Sequence, residues 1–348
     1  MASGCPMMKL QQTDHPCFGG DHSKSGRIHL PVAPGCNIKC GFCERRFDCA
    51  NESRPGVTSK ILTPAQAVQR VDLVKRHMEK QGGAQLKVVG IAGPGDPLAN
   101  PKTFETFELV KQAFPEMHLC LSTNGLMLTE HIDQLSRLGV HSVTVTINAL
   151  TPQAGAKVYE WVRYRGSRLE GEEGAALLIK RQLEGVRYAA AAGMMVKVNH
   201  VYIPGINDHE TIDLALKVRE MGAVMMNIMP VIPIGLFKDV TPPDDVTLEM
   251  VRNQAELILS QARHCKQCRA EAAEGGWARS GPGCAGGSGE LVLFLSLKDQ
   301  QQDRWGPTKQ VLPVAPGERP TFLARPRKVG KRRPPGKTAL TGAFAAVD

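Results

Sequence analysis

Pro34-Gly-Cys36-Asn-Ile-Lys-Cys40-Gly-Phe-Cys43 carries three thiols at a C-x3-C-x2-C spacing. A 4Fe-4S cluster has four irons and is normally held by four thiolates. Three closely spaced cysteines without a fourth in the same run leave one iron open to another ligand. A zinc knuckle fits less well, because zinc favours paired C-x2-C ligands and tetrahedral closure. A disulfide framework belongs to short secreted chains, whereas this chain has 348 residues.

Outward from this run, strand-like and helix-like segments alternate. A strand over residues 27–33 leads into the cysteine loop. Thr63 and Pro64 open an amphipathic helix to about residue 81, an N-cap followed by proline at the first helical position. Strands are expected over 86–92, 117–121, 141–147, 195–202 and 224–230. Helices are expected over 101–113, 129–138, 175–192, 209–221 and 247–263. Six β/α units predict an α/β fold, a parallel sheet with helices outside. Six are too few for a closed eight-stranded barrel, so an open, partial (β/α)6 barrel is expected. In such folds the chemistry sits at the C-terminal ends of the strands. There lie the cysteine loop, Gly93-Pro-Gly-Asp-Pro97, Ser122-Thr-Asn-Gly125, Asn148, Pro204-Gly-Ile-Asn-Asp208 and Met229-Pro-Val-Ile-Pro233.

Composition narrows the class. Hydrophobic residues make up 42 %, enough for a sizeable core. No apolar run approaches the roughly 18 residues of a membrane span. The stretch Met1-Ala-Ser-Gly-Cys-Pro-Met-Met8 lacks a signal-peptide pattern. A cytoplasmic protein with no membrane association is expected, in which ten cysteines read as metal ligands before disulfides. Of the net charge of +9, residues 276–348 supply +7, so the basic balance belongs to the end of the chain. It is no argument for nucleic-acid binding by the rest. Three regions are expected: an N-terminal segment with candidate ligands (1–26), a catalytic core (27–272) and a Gly/Pro-rich basic tail (273–348), mostly flexible apart from one strand over 291–297.

The triplet resembles that of the radical S-adenosylmethionine (SAM) enzymes, and the resemblance implies a 4Fe-4S cluster and SAM as cofactors. The open iron would chelate the amino and carboxylate groups of SAM, and reductive cleavage would yield a 5′-deoxyadenosyl radical. The turn Gly93-Pro-Gly95-Asp96 is similar to the family's glycine-rich SAM-binding turn. Glycine there lets backbone approach a ligand closely. Phe42 falls where the family places an aromatic near the adenine. Asn124, Thr146 and Asn148 are candidate polar contacts to SAM, with ordinary strand-end hydrogen bonding as the competing role.

Five more thiols stand in suggestive settings: Cys17 in His15-Pro-Cys17, Cys49 six residues past the triplet, Cys120 before Ser122-Thr-Asn124, and the pair Cys265-Lys-Gln-Cys268. With His15 they make six candidate ligands, three each for two further clusters, since imidazole also suits iron. Cys120 has a competing role as a small buried hydrophobe, and zinc remains open for the C-x2-C pair.

The continuous string from Cys36 to Val57, with its Cys49-Ala-Asn-Glu-Ser-Arg-Pro-Gly56 continuation, resembles the NifB family of radical SAM maturases of the nitrogenase iron-molybdenum cofactor. So do His15-Pro-Cys17, Gly93-Pro-Gly-Asp-Pro-Leu98, Ser122-Thr-Asn-Gly125, Ile203-Pro-Gly-Ile-Asn-Asp208, Asn227-Ile-Met-Pro230 and His264-Cys-Lys-Gln-Cys-Arg269. The resemblance covers about residues 14–272. It implies fusion of two 4Fe-4S clusters with insertion of a SAM-derived carbide and an extra sulfur, giving an 8Fe-9S-carbide precursor. Expected partners are iron-sulfur cluster donors, a cofactor carrier and nitrogenase assembly proteins. One partition of ligands places His15, Cys49 and Cys120 on one substrate cluster and Cys17, Cys265 and Cys268 on the other. Glu52 is a candidate proton relay and Arg54 a candidate for holding negative charge, against a local salt bridge as the plainer role. The alternatives are a radical SAM enzyme with an organic substrate, similar to the molybdopterin-precursor cyclase, and a non-catalytic iron-sulfur or zinc scaffold.

Overall fold

A computed structural model describes residues 15–19, 24–44, 49, 58, 60–82 and 84–263, and two short strands at 273–274 and 290–291. The chain divides after Phe294, and the second unit, Leu295–Asp348, lies outside the described residues. So does the rest of the tail expected to be flexible.

The strands are β1 (Ser25–His29), β2 (Ile38–Cys40), β3 (Gln85–Ile91), β4 (His118–Thr123), β5 (Val140–Thr146), β6 (Tyr159–Tyr164), β7 (Ser167–Leu169), β8 (Met195–Tyr202), β9 (Met225–Pro230), β10 (Ala273–Glu274) and β11 (Glu290–Leu291). The α-helices are α1 (Pro64–Gln81), α2 (Lys102–Ala113), α3 (Leu128–Arg137), α4 (Pro152–Val158), α5 (Gly171–Ala191), α6 (Thr211–Glu220) and α7 (Asp245–Glu256). Six parallel strands run in the order β1-β3-β4-β5-β8-β9, and β10 and β11 add antiparallel beside β1. Each parallel strand lies next to its successor with no reversal of order. That is the winding of a curled half-barrel rather than of a doubly wound sheet. The expected (β/α)6 partial barrel is what the chain forms.

The register sorts the two faces of the sheet. Leu121, Val143 and Val196 stand side by side, as do Val145 and Val198, and all five join the main core with the helices. On the other face Gly90, Cys120 and Ser142 are in register, and one step along Ser122, Thr144 and Lys197 are. A closed barrel fills its bore with Val, Ile and Leu. Here the bore is lined by small and polar side chains, so space remains inside.

Helix α1 starts as expected: Thr63 and Gln66 form a capping box around Pro64, and Gly82 closes the helix at φ 65°. Other expectations shift. The first strand ends at His29, because residues 30–33 run on with only an isolated bridge between Ala33 and Pro94. Helix α7 stops at Glu256, and Gln261 pairs with Met226 instead. The expected strand over 291–297 is described only at β11. A second, three-stranded sheet, β2-β6-β7, was not anticipated; it seats the cysteine strand β2 antiparallel to β6. Its hairpin turns at Arg165 and Gly166, with φ 48° and 84°. Two positive values are the signature of a type I′ turn, usually announced by Asn-Gly. Among the described residues no helix is long and apolar enough to cross a membrane.

His200 on β8 ties this architecture together. Fully buried, it places Nδ1 2.9 Å from the Ile147 carbonyl and Nε2 3.1 Å from the Thr211 hydroxyl. Burial lowers its pKa from 6.5 to about 4, outweighing the Ile147 hydrogen bond. The unfolded ring takes its proton near 6.5, so stability is full above that value and falls as pH drops to about 4. The loss expected from this residue is about 3 kcal/mol. Urea titrations of wild type and His200→Gln over this window check it: equal slopes with pH would show that His200 does not titrate in this way.

Candidate functional site

The triplet lies beyond β1, in the loop that leads into β2 of the small sheet, at the end of that strand and just past it. Cys40 is buried on β2, while Cys36 and Cys43 flank it half-buried, and none of the three is in a disulfide. The loop is held by backbone. Gly41 N donates to Val158 O at 2.8 Å, Cys43 N to Cys40 O at 2.9 Å, and Leu236 N to Gly41 O at 2.7 Å. The Lys39 ammonium donates to the Cys43 carbonyl at 2.8 Å.

The turn after β3 clamps the loop from the other side. Gly95 N donates to Ala33 O at 2.6 Å, and Asp96 N donates to Gly35 O at 2.8 Å. Asn100 closes the clamp, its Nδ2 donating to Gly35 O at 2.8 Å. A Cβ on Gly95 would lie 2.0 Å from Gly35 O. Glycine at position 95 therefore admits the cysteine loop, whatever else it meets in the pocket it lines. Gly93, at φ 144°, sets the turn.

Asp96 faces inward too. Its carboxylate accepts from Leu98 N at 2.9 Å, the Thr123 hydroxyl at 2.8 Å and Asn124 N at 2.6 Å. Burial pushes its pKa up, opposed by these donors. The group expected to meet SAM thus fastens the β3 turn to the end of β4. Asn124 then extends Nδ2 to Asn37 Oδ1 at 2.6 Å and lies 3.7 Å from Cys36 Sγ.

These pieces surround an open pocket of about 510 Å³, continuous with solvent, lined by Cys36, Cys40, Cys43 and Cys49, with Phe42, Gly95, Asp96, Asn124 and Thr146. Phe42 forms a wall and packs 5.8 Å from the Phe237 ring. Asn148 is not among its lining residues. That side chain is fully buried, accepting from Val201 N at 2.8 Å, while its carbonyl accepts from Asn207 Nδ2. Among the described residues no three His, Cys, Asp or Glu side chains converge as for a single ion. A cube of four irons is ligated at separate corners, so thiols ringing a cavity fit it better than thiols meeting at a point.

A second pocket, about 500 Å³ and also open to solvent, adjoins it in the bore. His15, Cys17 and Cys120 line it together, and Ser122 lines both cavities. Cys120 is only partly buried and stands over Gly90, where a Cβ would come within 2.7 Å of its sulfur. His15 caps a short 3-10 turn (Pro16–Phe18), its Nδ1 accepting from Cys17 N at 3.1 Å. Burial, then Lys197 and Arg27, holds His15 well below its ordinary pKa, so it is neutral at pH 7. The structure therefore gathers His15, Cys17 and Cys120 and places Cys49 in the neighbouring cavity. This grouping differs from the partition read in the sequence. Glu52, Arg54, Cys265 and Cys268 lie outside the described residues.

Sequence reading passed over Arg27, His29 and Lys197, all of which line the second cavity. Arg27 and Lys197 are buried, and the Arg27 guanidinium contacts the Cys17 sulfur. Each of the three is a charged or imidazole side chain within a strand of a parallel sheet, and which face it takes is set by the register with the neighbouring strands.

Comparison with known proteins agrees with this geometry. Residues 30–218 match the radical SAM superfamily, and the chain belongs to it. Its relatives are specific. The FeMo cofactor biosynthesis protein NifB of Klebsiella pneumoniae is 47 % identical over 276 residues, covering 77 % of this chain and 58 % of the relative. NifB of Chlorobaculum tepidum is 43 % identical over 269 residues, covering 76 % and 62 %. NifB of Frankia alni is 44 % identical over 279 residues, covering 77 % and 54 %. The resemblance to NifB carried by the sequence motifs is borne out, and the chain spans between 54 % and 62 % of the length of these three relatives.

The clamp makes a direct prediction. Gly95→Ala should displace residues 33–36 and leave the anaerobically reconstituted protein about four irons short of wild type, with its far-UV circular dichroism unchanged. Full iron content in this variant would show that the close approach at Gly35 does not hold the triplet.

Proposed function

We propose that the chain is a radical SAM enzyme of iron-molybdenum cofactor biosynthesis. It would fuse two 4Fe-4S clusters around a SAM-derived carbide, with an extra sulfur, into an 8Fe-9S-carbide precursor. The observation that carries this reading is the pair of adjoining cavities sharing Ser122, one lined by the triplet and the other by His15, Cys17 and Cys120. A radical generated in the first would open onto material held in the second.

Cys36, Cys40 and Cys43 would hold a 4Fe-4S cluster, which would supply the one electron that splits SAM into methionine and a 5′-deoxyadenosyl radical. The chain's own residues do the rest. The Gly95 and Asp96 amides hold the cysteine loop, Phe42 walls the cavity, and Asn124 orients Asn37 beside Cys36. Thr146 and the turn at Gly93 are left as contacts to SAM. In the second cavity His15 is kept neutral, and neutral imidazole is the form that binds iron. A substrate cluster held by His15, Cys17 and Cys120 keeps an iron unligated by protein, so it can couple and depart. Cys49, at the first cavity, and Cys265 and Cys268 are proposed for the other substrate cluster. Glu52 and Arg54 are proposed to relay protons and to hold negative charge. Cluster donors, a carrier and nitrogenase assembly proteins are the proposed partners.

Methyl-labelled SAM supplied to the reduced, reconstituted protein should place label in a protein-bound iron-sulfur product, with about twelve irons per chain before turnover. Label found wholly in an organic molecule, with about eight irons, would sink the proposal.

A further inference from the structure

The small sheet has an outer face that the reaction does not use. Antiparallel pairing sets Lys39 opposite Trp161 and Arg163 opposite Arg168. Directly paired residues share a face, and the buried partners Ile38 and Val162 occupy the other one. The Arg163 and Arg168 guanidinium carbons sit 5.5 Å and 5.4 Å from the Trp161 ring centre, one cation on each neighbouring position. Both arginines are exposed. Across β2, β6, β7 and their turn, Lys39, Arg163, Arg165 and Arg168 stand with one carboxylate of their own elements, Glu160, which pairs with Lys39 at 3.5 Å. Arg165 reaches Glu130 of α3 at 3.7 Å, a carboxylate that Arg181 also holds at 2.8 Å. Arg168 also meets Glu170 at 2.7 Å, but both ends of that pair are more than half exposed, and such pairs exchange readily.

This basic face backs onto the triplet. Cys40 follows Lys39 on the same strand, about 3.8 Å away along the backbone. The Lys39 ammonium holds the Cys43 carbonyl, and Arg163 N donates to Asn37 O at 2.8 Å. A protein seated on the outer face would therefore lie against the strand that carries the cluster.

We propose that this face, built on Lys39, Trp161, Arg163 and Arg168, docks an acidic one-electron carrier protein that reduces the cluster of Cys36, Cys40 and Cys43. The proposal rests on the radical SAM reading of that triplet. In the step itself the carrier loses one electron and the cluster gains it; no bond is made or broken and no proton moves. A flat tryptophan between cations suits a small, wet, short-lived interface, and the surrounding charge steers an acidic partner onto it.

The test uses the full chain, reconstituted anaerobically, with a reduced acidic two-iron ferredoxin as the probe. In Arg163→Glu/Arg168→Glu, ferredoxin binding measured by biolayer interferometry should weaken roughly tenfold or more, and wild-type binding should weaken at high ionic strength. Arg163→Gln/Arg168→Gln should fall between them. Dithionite is small and needs no docking face, so the dithionite-reduced cluster signal in electron paramagnetic resonance should be the same in all three. Ferredoxin binding that is indifferent to these substitutions overturns the proposal. So does equally tight binding of a DNA duplex, which would mark a general polyanion patch. A wild-type cluster that dithionite cannot reduce would instead overturn the reading of the triplet, and this proposal with it.

Discussion

The site depends on one contact between two pieces of backbone. Gly95 and Asp96 donate their amides to the Ala33 and Gly35 carbonyls, and Asp96 turns its carboxylate to the end of β4. Through these bonds the β3 turn, the β4 end and the cysteine loop become one rigid unit. Fixing the spacing of the three thiols before metal arrives lowers the entropy lost when a cluster binds. The cost lies in burying Asp96, and burial does push its pKa up. Three donors on one carboxylate offset that cost.

The bore follows from a second choice, small side chains where a closed barrel would carry large ones. Gly90, Cys120 and Ser142, then Ser122 and Thr144, leave two adjoining cavities inside the curl of the sheet. Packing given up there is regained on the outer face, where Leu121, Val143, Val145, Val196 and Val198 meet the helices. Phe18, at the end of the short turn after His15, packs with Met195, Val224 and Met225 to anchor the segment that brings His15 and Cys17 into the bore.

Much of this was legible in the residues, for physical reasons. Apolar strands, proline-led helix starts and polar strand ends are local patterns, so the parallel half-barrel and the site's position at its C-terminal end could be read directly. Side-chain direction is not local. Asp96 and Asn148 are polar residues at strand ends, and their side chains also accept from backbone beyond their own strands, Asp96 from Asn124 N and Asn148 from Val201 N. Arg27 and Lys197 escaped notice because their facing depends on register across several strands. The β6–β7 hairpin escaped because Arg165-Gly166 carries a turn that Asn-Gly usually signals.

That hairpin alters what the cysteine strand can do. A loop of three thiols on a half-barrel would face only inward, toward the bore. Pairing β2 with β6 gives the strand two faces. Ile38 and Cys40 lie in the apolar cluster with Tyr159 and Val162, and Lys39 looks out beside Trp161. Alternation along a strand three residues long thus separates the group that would hold a cluster from the group that would meet a partner. The two stay one peptide apart, so the inside of the site and its outer surface are set by the same few hydrogen bonds.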